Sequence, residues 1–190
     1  MHELVKNNIF TEKLTKVVSN KIFLIVSFSI LTAISAKIAL PTYPVPFTLQ
    51  TMAVVLAGAF LGKKNGFYSQ ILYLAMGATG LPVFASVADG TIGFLSLFGP
   101  TGGYLLAFPL GAYITGLIVE KYQNYFAVVA AMFLANIAII TFGALYLDAV
   151  YIQNLSQSLK IGGAIFSVWT VVKVFAAASI FFSFKKISKK

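Results

Sequence analysis

The stretch Tyr125–Leu147 reads YFAVVAAMFLANIAIITFGALYL, an apolar run that contains one amide, Asn136, and no charge. A run of about 20 apolar residues is long enough to cross the hydrocarbon core of a bilayer. Outward from it, the same texture recurs. Apolar runs occupy Ile22–Leu40, Leu49–Leu61, Phe67–Phe84, Gly103–Val119 and Ile161–Phe184, with short polar gaps between them. The chain of 190 residues is 59% hydrophobic and 10% charged, with a mean hydropathy of +0.90. Soluble domains carry about 25% charged residues, and a soluble fold of this size cannot hide so much apolar surface. The reading is an all-α integral membrane protein with six transmembrane helices in one membrane domain, 21–190, preceded by a cytoplasmic or interfacial segment, 1–20. In that segment Leu4, Val5, Ile9, Phe10, Leu14, Val17 and Val18 recur at roughly helical spacing, which fits either an amphipathic helix on the membrane surface or a solvated tail. The run from Lys21 to Leu40 is longer than the apolar region of an ordinary signal peptide, so it is expected to be an uncleaved first span.

Charge sets the orientation. The formal net charge is +9, all of it from lysine. The lysines collect in the N-terminal segment, at Lys63 and Lys64, at Lys121 and at the C-terminus. The 41–48, 85–102 and 148–160 gaps hold only Lys160, Asp89 and Asp148. Lysine-rich short loops stay on the cytoplasmic side, so both termini are expected inside a multi-pass protein of the cell membrane. Because the lysines flank apolar runs, their partner is the anionic headgroup layer of the lipid bilayer, and no nucleic-acid partner is expected. Lys37, near the outer end of the first span, reads as an interfacial anchor.

The inventory argues against an enzyme. Cysteine is absent and the single histidine is His2, so thiolate metal sites and Ser–His catalysis are excluded, and no metal or cofactor is expected. Gly58 to Lys63 is one residue too short for a phosphate loop, and no Ser or Thr follows the lysine.

Three places could carry binding chemistry. In Pro41-Thr42-Tyr43-Pro44-Val45-Pro46-Phe47-Thr48-Leu49-Gln50-Thr51, three prolines forbid a helix. The segment is either a stiff turn or a lid, with Tyr43 and Phe47 as apolar contacts and Thr48 and Gln50 as hydrogen-bonding groups. In Gly99-Pro100-Thr101-Gly102-Gly103-Tyr104, the glycines serve either as a hinge or to let backbone N–H groups approach a ligand at a helix start. Lys173 lies inside the last apolar run, with Thr170 one turn earlier on the same face. A charge there is costly unless paired or hydrated, so it points to a cavity and a ligand path rather than to an ammonium snorkelling to the interface. Asn136 is either an interhelical hydrogen-bonding group or part of the same site. Ser29, Thr32, Ala33 and Ala36 recur at small-residue spacing in the first span and fit close packing, either inside the chain or against another membrane subunit.

Val45-Pro46-Phe47-Thr48-Leu49-Gln50-Thr51, with Leu56-Ala57-Gly58-Ala59-Phe60-Leu61-Gly62, closely resembles the BioY family, the biotin-capturing S components of energy-coupling-factor (ECF) transporters. So do Leu72-Tyr73-Leu74-Ala75-Met76-Gly77-Ala78-Thr79-Gly80-Leu81-Pro82-Val83-Phe84-Ala85 and Gly99-Pro100-Thr101-Gly102-Gly103-Tyr104-Leu105-Leu106-Ala107-Phe108-Pro109. The resemblance is clear over roughly residues 36–116. It implies six helices around one outward-facing substrate cavity lidded by the first loop, with biotin as ligand. It also implies an ECF transmembrane coupling protein and two ATP-binding subunits as partners, the first-span face of Ser29, Thr32, Ala33 and Ala36 meeting the coupling protein. Under that resemblance Tyr43, Phe47, Thr48 and Gln50 close the lid, and Gly99, Thr101, Gly102, Gly103 and Tyr104 shape the floor. Asn136 and Thr170 satisfy the ureido ring, and Lys173 binds an anionic or carbonyl oxygen. Family members commonly carry an aspartate at the position of Thr170. Threonine cannot neutralise a lysine, so the ligand's own carboxylate, Asp89 or Asp148 has to help. The residues by themselves also fit a self-sufficient carrier of biotin or a related small carboxylate and, less well, a membrane enzyme acting on lipid.

Overall fold

In a computed structural model of the chain, residues 20–187 are described apart from 41, 88, 89, 91, 166 and 167; the N-terminal segment, read as an amphipathic helix or a solvated tail, and Asp89 lie outside the described residues. Helix α1 (Lys21–Lys37) starts at Asn20, whose side chain accepts from the Ile22 N–H. Two short strands follow, β1 (Ala39–Leu40) and β2 (Phe47–Thr48), paired antiparallel with Ala39 opposite Thr48 and Leu40 opposite Phe47. The rest is helical: α2 (Gln50–Ala78), α3 (Gly102–Lys121), α4 (Tyr125–Leu147), α5 (Leu155–Ile165) and α6 (Val168–Ile187), with a 3₁₀ turn at Gly93–Leu97 and a π-helical turn at Asp148–Ile152.

Helix α2 reverses direction at Gly62, where φ is 75° and ψ is 176°. Its two arms return on each other: a Cβ at Gly66 would come within 2.9 Å of the Gly58 Cα. Gln50 and Tyr73, on opposite arms, share a hydrogen bond. These arms are the second and third spans, and with α1, α3, α4 and α6 they make the six expected. The 63–65 gap is not a loop. Helix resumes at Lys63, whose N–H donates to Glu120 Oε1. Among the described residues two segments, Gly102–Lys121 and Tyr125–Ile152, are long and apolar enough to cross a bilayer singly.

Other boundaries also move. The first span stops at Lys37 and the third at Ala78, before Pro82. The 148–160 gap, read as a loop, is largely helical, and α5 starts well before Ile161. Asn154 caps it, its Oδ1 accepting from the Gln157 N–H.

The polarity of α1 runs opposite to that of a soluble helix. Ser29, Thr32, Ser35 and Ala36 are buried, while Ile30 and Ile34 are exposed. Ser29 Oγ donates to the Ser69 carbonyl at 2.6 Å, and Thr32 Oγ1 pairs with the Gln70 side chain at 3.2–3.3 Å. Of the two readings of Ser29, Thr32, Ala33 and Ala36, these contacts support close packing inside the chain. Their small size and hydroxyls draw α2 close, and Ala33, partly buried, packs against the core.

Candidate ligand cavity

A narrow cavity opens at the end of the bundle where β2 runs into α2. Val45, Pro46, Thr48, Gln50 and Thr51 line one side, Thr101, Tyr104, Leu105 and Phe108 another, and Ala85 and Lys173 complete it. The α3 contributors follow one helical stripe, i, i+3, i+4 and i+7, so a single face of α3 forms the wall. The proline-rich loop supplies its apolar part. Thr42 Oγ1 donates to the Val45 carbonyl at 2.6 Å, the Tyr43–Pro44 bond is cis, and Val45 and Pro46 turn inward.

The polar groups are chained. The Gln50 N–H donates to Thr48 Oγ1, which donates to Gln50 Oε1 at 2.9 Å. Gln50 Nε2 donates to Tyr73 Oη at 2.6 Å, and Tyr73 Oη donates to the Val83 carbonyl at 3.2 Å. Tyr73 is fully buried, its ring edge-on to Phe84 and stacked on Phe108. Lys173 is 4% exposed, and its Nζ donates to Thr51 Oγ1 at 2.8 Å and to the Thr48 carbonyl at 3.2 Å. Tyr104 Oη lies buried with no hydrogen-bond partner among the described residues. Such an atom costs free energy unless something outside the chain satisfies it.

Of the residues singled out in the sequence, Thr48, Gln50, Thr101, Tyr104 and Lys173 meet in this cavity. Others lie off its wall. Tyr43 is 85% exposed, and Phe47 packs half-buried against the core. Gly99, Gly102 and Gly103 are buried; the Gly99 N–H is taken by the Ser96 carbonyl and the Gly102 N–H by the Gly99 carbonyl. A Cβ at Gly102 would strike the Leu97 carbonyl, and one at Gly103 the Tyr146 side chain. Asn136 is buried, donating to the Met132 carbonyl at 2.8 Å, while its Oδ1 has no partner among the described residues. Thr170 is buried one turn before Lys173. Asp148 accepts from Ser158 Oγ at 3.3 Å. Lys37 does more than anchor: its ammonium donates to the Phe84 carbonyl at 2.8 Å, bracing the segment beside Ala85.

Thr51, Tyr73, Val45, Pro46 and Phe108 were not singled out by the sequence reading. Thr51, Val45 and Pro46 stand in the proline-rich stretch that drew attention to the loop. Phe108 lies one turn beyond Tyr104, a spacing that would have found it.

Six crossing segments around a polar cavity set into one end of the bundle define an all-α membrane protein of the small-solute-binding kind. The chain belongs to the BioY family, whose model matches residues 6–190. It is 38% identical over 160 residues to the biotin transporter BioY of Thermotoga maritima, covering 84% of this chain and 92% of that one. It is 36% identical over 143 residues to the biotin transporter BioY2 of Lactococcus lactis subsp. cremoris, covering 74% and 76%. A crystal structure of the S-component for biotin from an ECF-type ABC transporter superposes with a TM-score of 0.76 at 27% identity, over 95% of this chain and 94% of that one.

Proposed function

We propose that this chain is the biotin-binding membrane subunit of an ECF-type vitamin importer, with no catalytic step of its own. The observation that carries the reading is the cavity itself: a buried ammonium, a hydrogen-bonded Thr48–Gln50–Tyr73 chain and a free Tyr104 hydroxyl in a wall of apolar side chains. Biotin offers what such a wall needs, an apolar ring system and tail with two polar ends. A cyclic urea has two donors and one acceptor, and a pocket whose buried partners would be left unpaired rejects analogues strongly. Lys173, Thr48, Gln50 and Tyr104 are assigned to ligand contact. Asn136, with its open carbonyl oxygen, and Thr170 are assigned to the ureido end, and Asp89 is assigned to ligand binding. Gly99, Thr101, Gly102 and Gly103 shape the floor by letting α3 start close to its neighbours, and Tyr43 and Phe47 move with the loop as a lid.

The cavity faces outward and both termini lie on the cytoplasmic side, residues 1–20 being a cytoplasmic or interfacial segment and 21–190 one membrane domain. The partners are a transmembrane coupling protein and two ATP-binding subunits; biotin uptake by this chain with those subunits absent would replace this reading by that of a self-sufficient carrier. Titration of the purified chain with biotin is expected to release heat and raise the unfolding temperature, and neither signal would appear if the reading were wrong. Lys173→Ala is expected to weaken binding about tenfold or more, the loss expected when a charged hydrogen-bonding group is removed.

A further inference from the structure

We infer that the furrow between α1, α2 and α6 is a binding site for an anionic phospholipid, with an acyl chain in the furrow and the phosphate among the lysines at its foot. The site is separate from the ligand cavity and does not depend on what that cavity holds.

Helices α1 and α6 both pack on α2 and leave between them a furrow of about 460 Å³. Leu24, Phe28 and Leu31 line one bank, Ile180 and Phe184 the other. The Phe60 ring lies between the banks, 5.9 Å from that of Phe28 and 5.9 Å from that of Phe184. From Leu24 to Leu31 is about 10 Å of helix. One leaflet supplies about 15 Å of hydrocarbon, so the furrow faces the tails of a single leaflet. The course of α1 fixes which end that is. Ser29, Thr32 and Lys37 bond in turn to Ser69, Gln70 and Phe84, so α1 runs alongside the second arm of α2 and Lys21 stands at the Lys63 end. Lys21 continues the Leu24–Phe28–Leu31 stripe one turn further. Lys21 and Lys64 are exposed and unpaired among the described residues, and Lys185 and Lys186 directly follow Phe184. The one carboxylate described at this end, Glu120, is taken by Lys63. Residues 1–20 add Lys6, Lys13 and Lys16 against Glu3 and Glu12, so that segment brings no surplus of anions. The banks themselves are long, branched or aromatic. Helices associate in a bilayer through small residues that let backbones approach, and the small face of α1 is turned to α2. A flexible acyl chain threads between large side chains where a second helix is held off. Equal tails meet these walls equally, so selection among lipids falls to the headgroup, and lysines at the membrane surface favour an anionic one.

The test puts a tryptophan on the rim of the furrow, Phe184→Trp, in a Trp169→Phe background that removes the single native tryptophan. Phe184 is 60% exposed, so the replacement stays outside the core. The full-length chain is reconstituted in phosphatidylcholine vesicles containing, at equal mole fraction, phosphatidylglycerol or phosphatidylcholine brominated on the acyl chain, which quenches tryptophan on contact. At Phe184→Trp the brominated phosphatidylglycerol is expected to compete at least about threefold better than the brominated phosphatidylcholine. At Leu134→Trp, on the exposed face of α4, the two are expected to quench alike. Lys21→Gln combined with Lys64→Gln is expected to remove most of the preference, and so is salt that shortens the screening length from about 10 Å to about 3 Å. Equal quenching by the two lipids at Phe184→Trp overturns the inference. Weak quenching by both there, with Leu134→Trp strongly quenched, also overturns it, because protein and not lipid then fills the furrow. A preference undiminished by salt overturns the role given to the lysines. The salt comparison needs no lysine variant, so a folding defect in the double variant cannot mask the answer.

Discussion

Tyr73 serves two partners through one oxygen, accepting from the buried Gln50 Nε2 at 2.6 Å and donating to the carbonyl of half-buried Val83 at 3.2 Å. The residue has no exposed surface. Removing that oxygen strands a donor on one side and an acceptor on the other. An abandoned buried polar group costs about 1–3 kcal/mol, well beyond the net worth of the hydrogen bond that held it. Tyr73→Phe is therefore expected to lower thermal stability in detergent by several degrees while leaving the ring stacking on Phe108 intact. It is also expected to weaken biotin binding, because Gln50 is positioned by Tyr73 on one side and Thr48 on the other. Unchanged stability with unchanged affinity would show that the chain of hydrogen bonds does not order the cavity.

At the reversal of α2, conformation and charge can be separated. Gly62 adopts φ 75° and ψ 176°, a region that only glycine enters freely, and strain there costs about 1–3 kcal/mol for other residues. A Cβ would in addition come within 2.5 Å of Glu120 Oε1. Glu120 contributes less. Its ion pair with Lys63 is partly exposed, and such pairs are worth about 0–1 kcal/mol. In Glu120→Gln the amide oxygen can still accept the Lys63 N–H. Gly62→Ala is accordingly expected to lower the unfolding temperature at least about twice as far as Glu120→Gln; an equal or larger effect of Glu120→Gln would mean that the carboxylate, not the backbone, holds the hairpin. The same element shows what the sequence conveyed and what it withheld. Both arms were legible as apolar runs, but the join was not, because Lys63, Lys64 and Asn65 read as a solvated gap although the helix resumes at the first lysine. Helix α5 was hidden for a related reason: its amphipathic stretch lacks the apolar length that marks a span. In the cavity the polar members Thr48, Gln50, Thr101, Tyr104 and Lys173 stood out by contrast with their surroundings. Val45, Pro46, Phe108 and Tyr73 did not, because an apolar or aromatic residue in so apolar a chain carries no contrast; only the packing of α3 against the hairpin selects them.

Across the whole molecule, Lys63, Lys64, Lys121, Lys185 and Lys186 gather at one end of the bundle, and the cavity opens at the other. The Lys63–Glu120 pair sets the α2 reversal beside the end of α3, and Lys185 Nζ donates to Gln123 Oε1 at 2.6 Å, setting the end of α6 beside the α3–α4 turn. Lys64, Lys121 and Lys186 belong to the same end. The opposite end holds the β1–β2 ladder, the 3₁₀ turn at Gly93–Leu97 and the start of α5. Between them the outer surface carries large apolar side chains, Ile30, Ile34, Leu134, Phe142 and Phe175 among them, as a lipid-facing belt requires. If the lysine-rich short connections stay in the cytoplasm, as proposed above, this polarity is expected to direct the cavity outward. The chain contains no cysteine, so single introduced thiols report sidedness without background. In intact cells a membrane-impermeant maleimide is expected to label Ser156→Cys, at the exposed start of α5, and to leave Lys64→Cys unlabelled until the membrane is opened. Retention of biotin binding by each variant would establish that the labelled molecules are folded. Labelling of Lys64→Cys from outside, with Ser156→Cys protected, would turn the cavity to the cytoplasm, and a subunit that collects a scarce vitamin from the medium could not be built that way round.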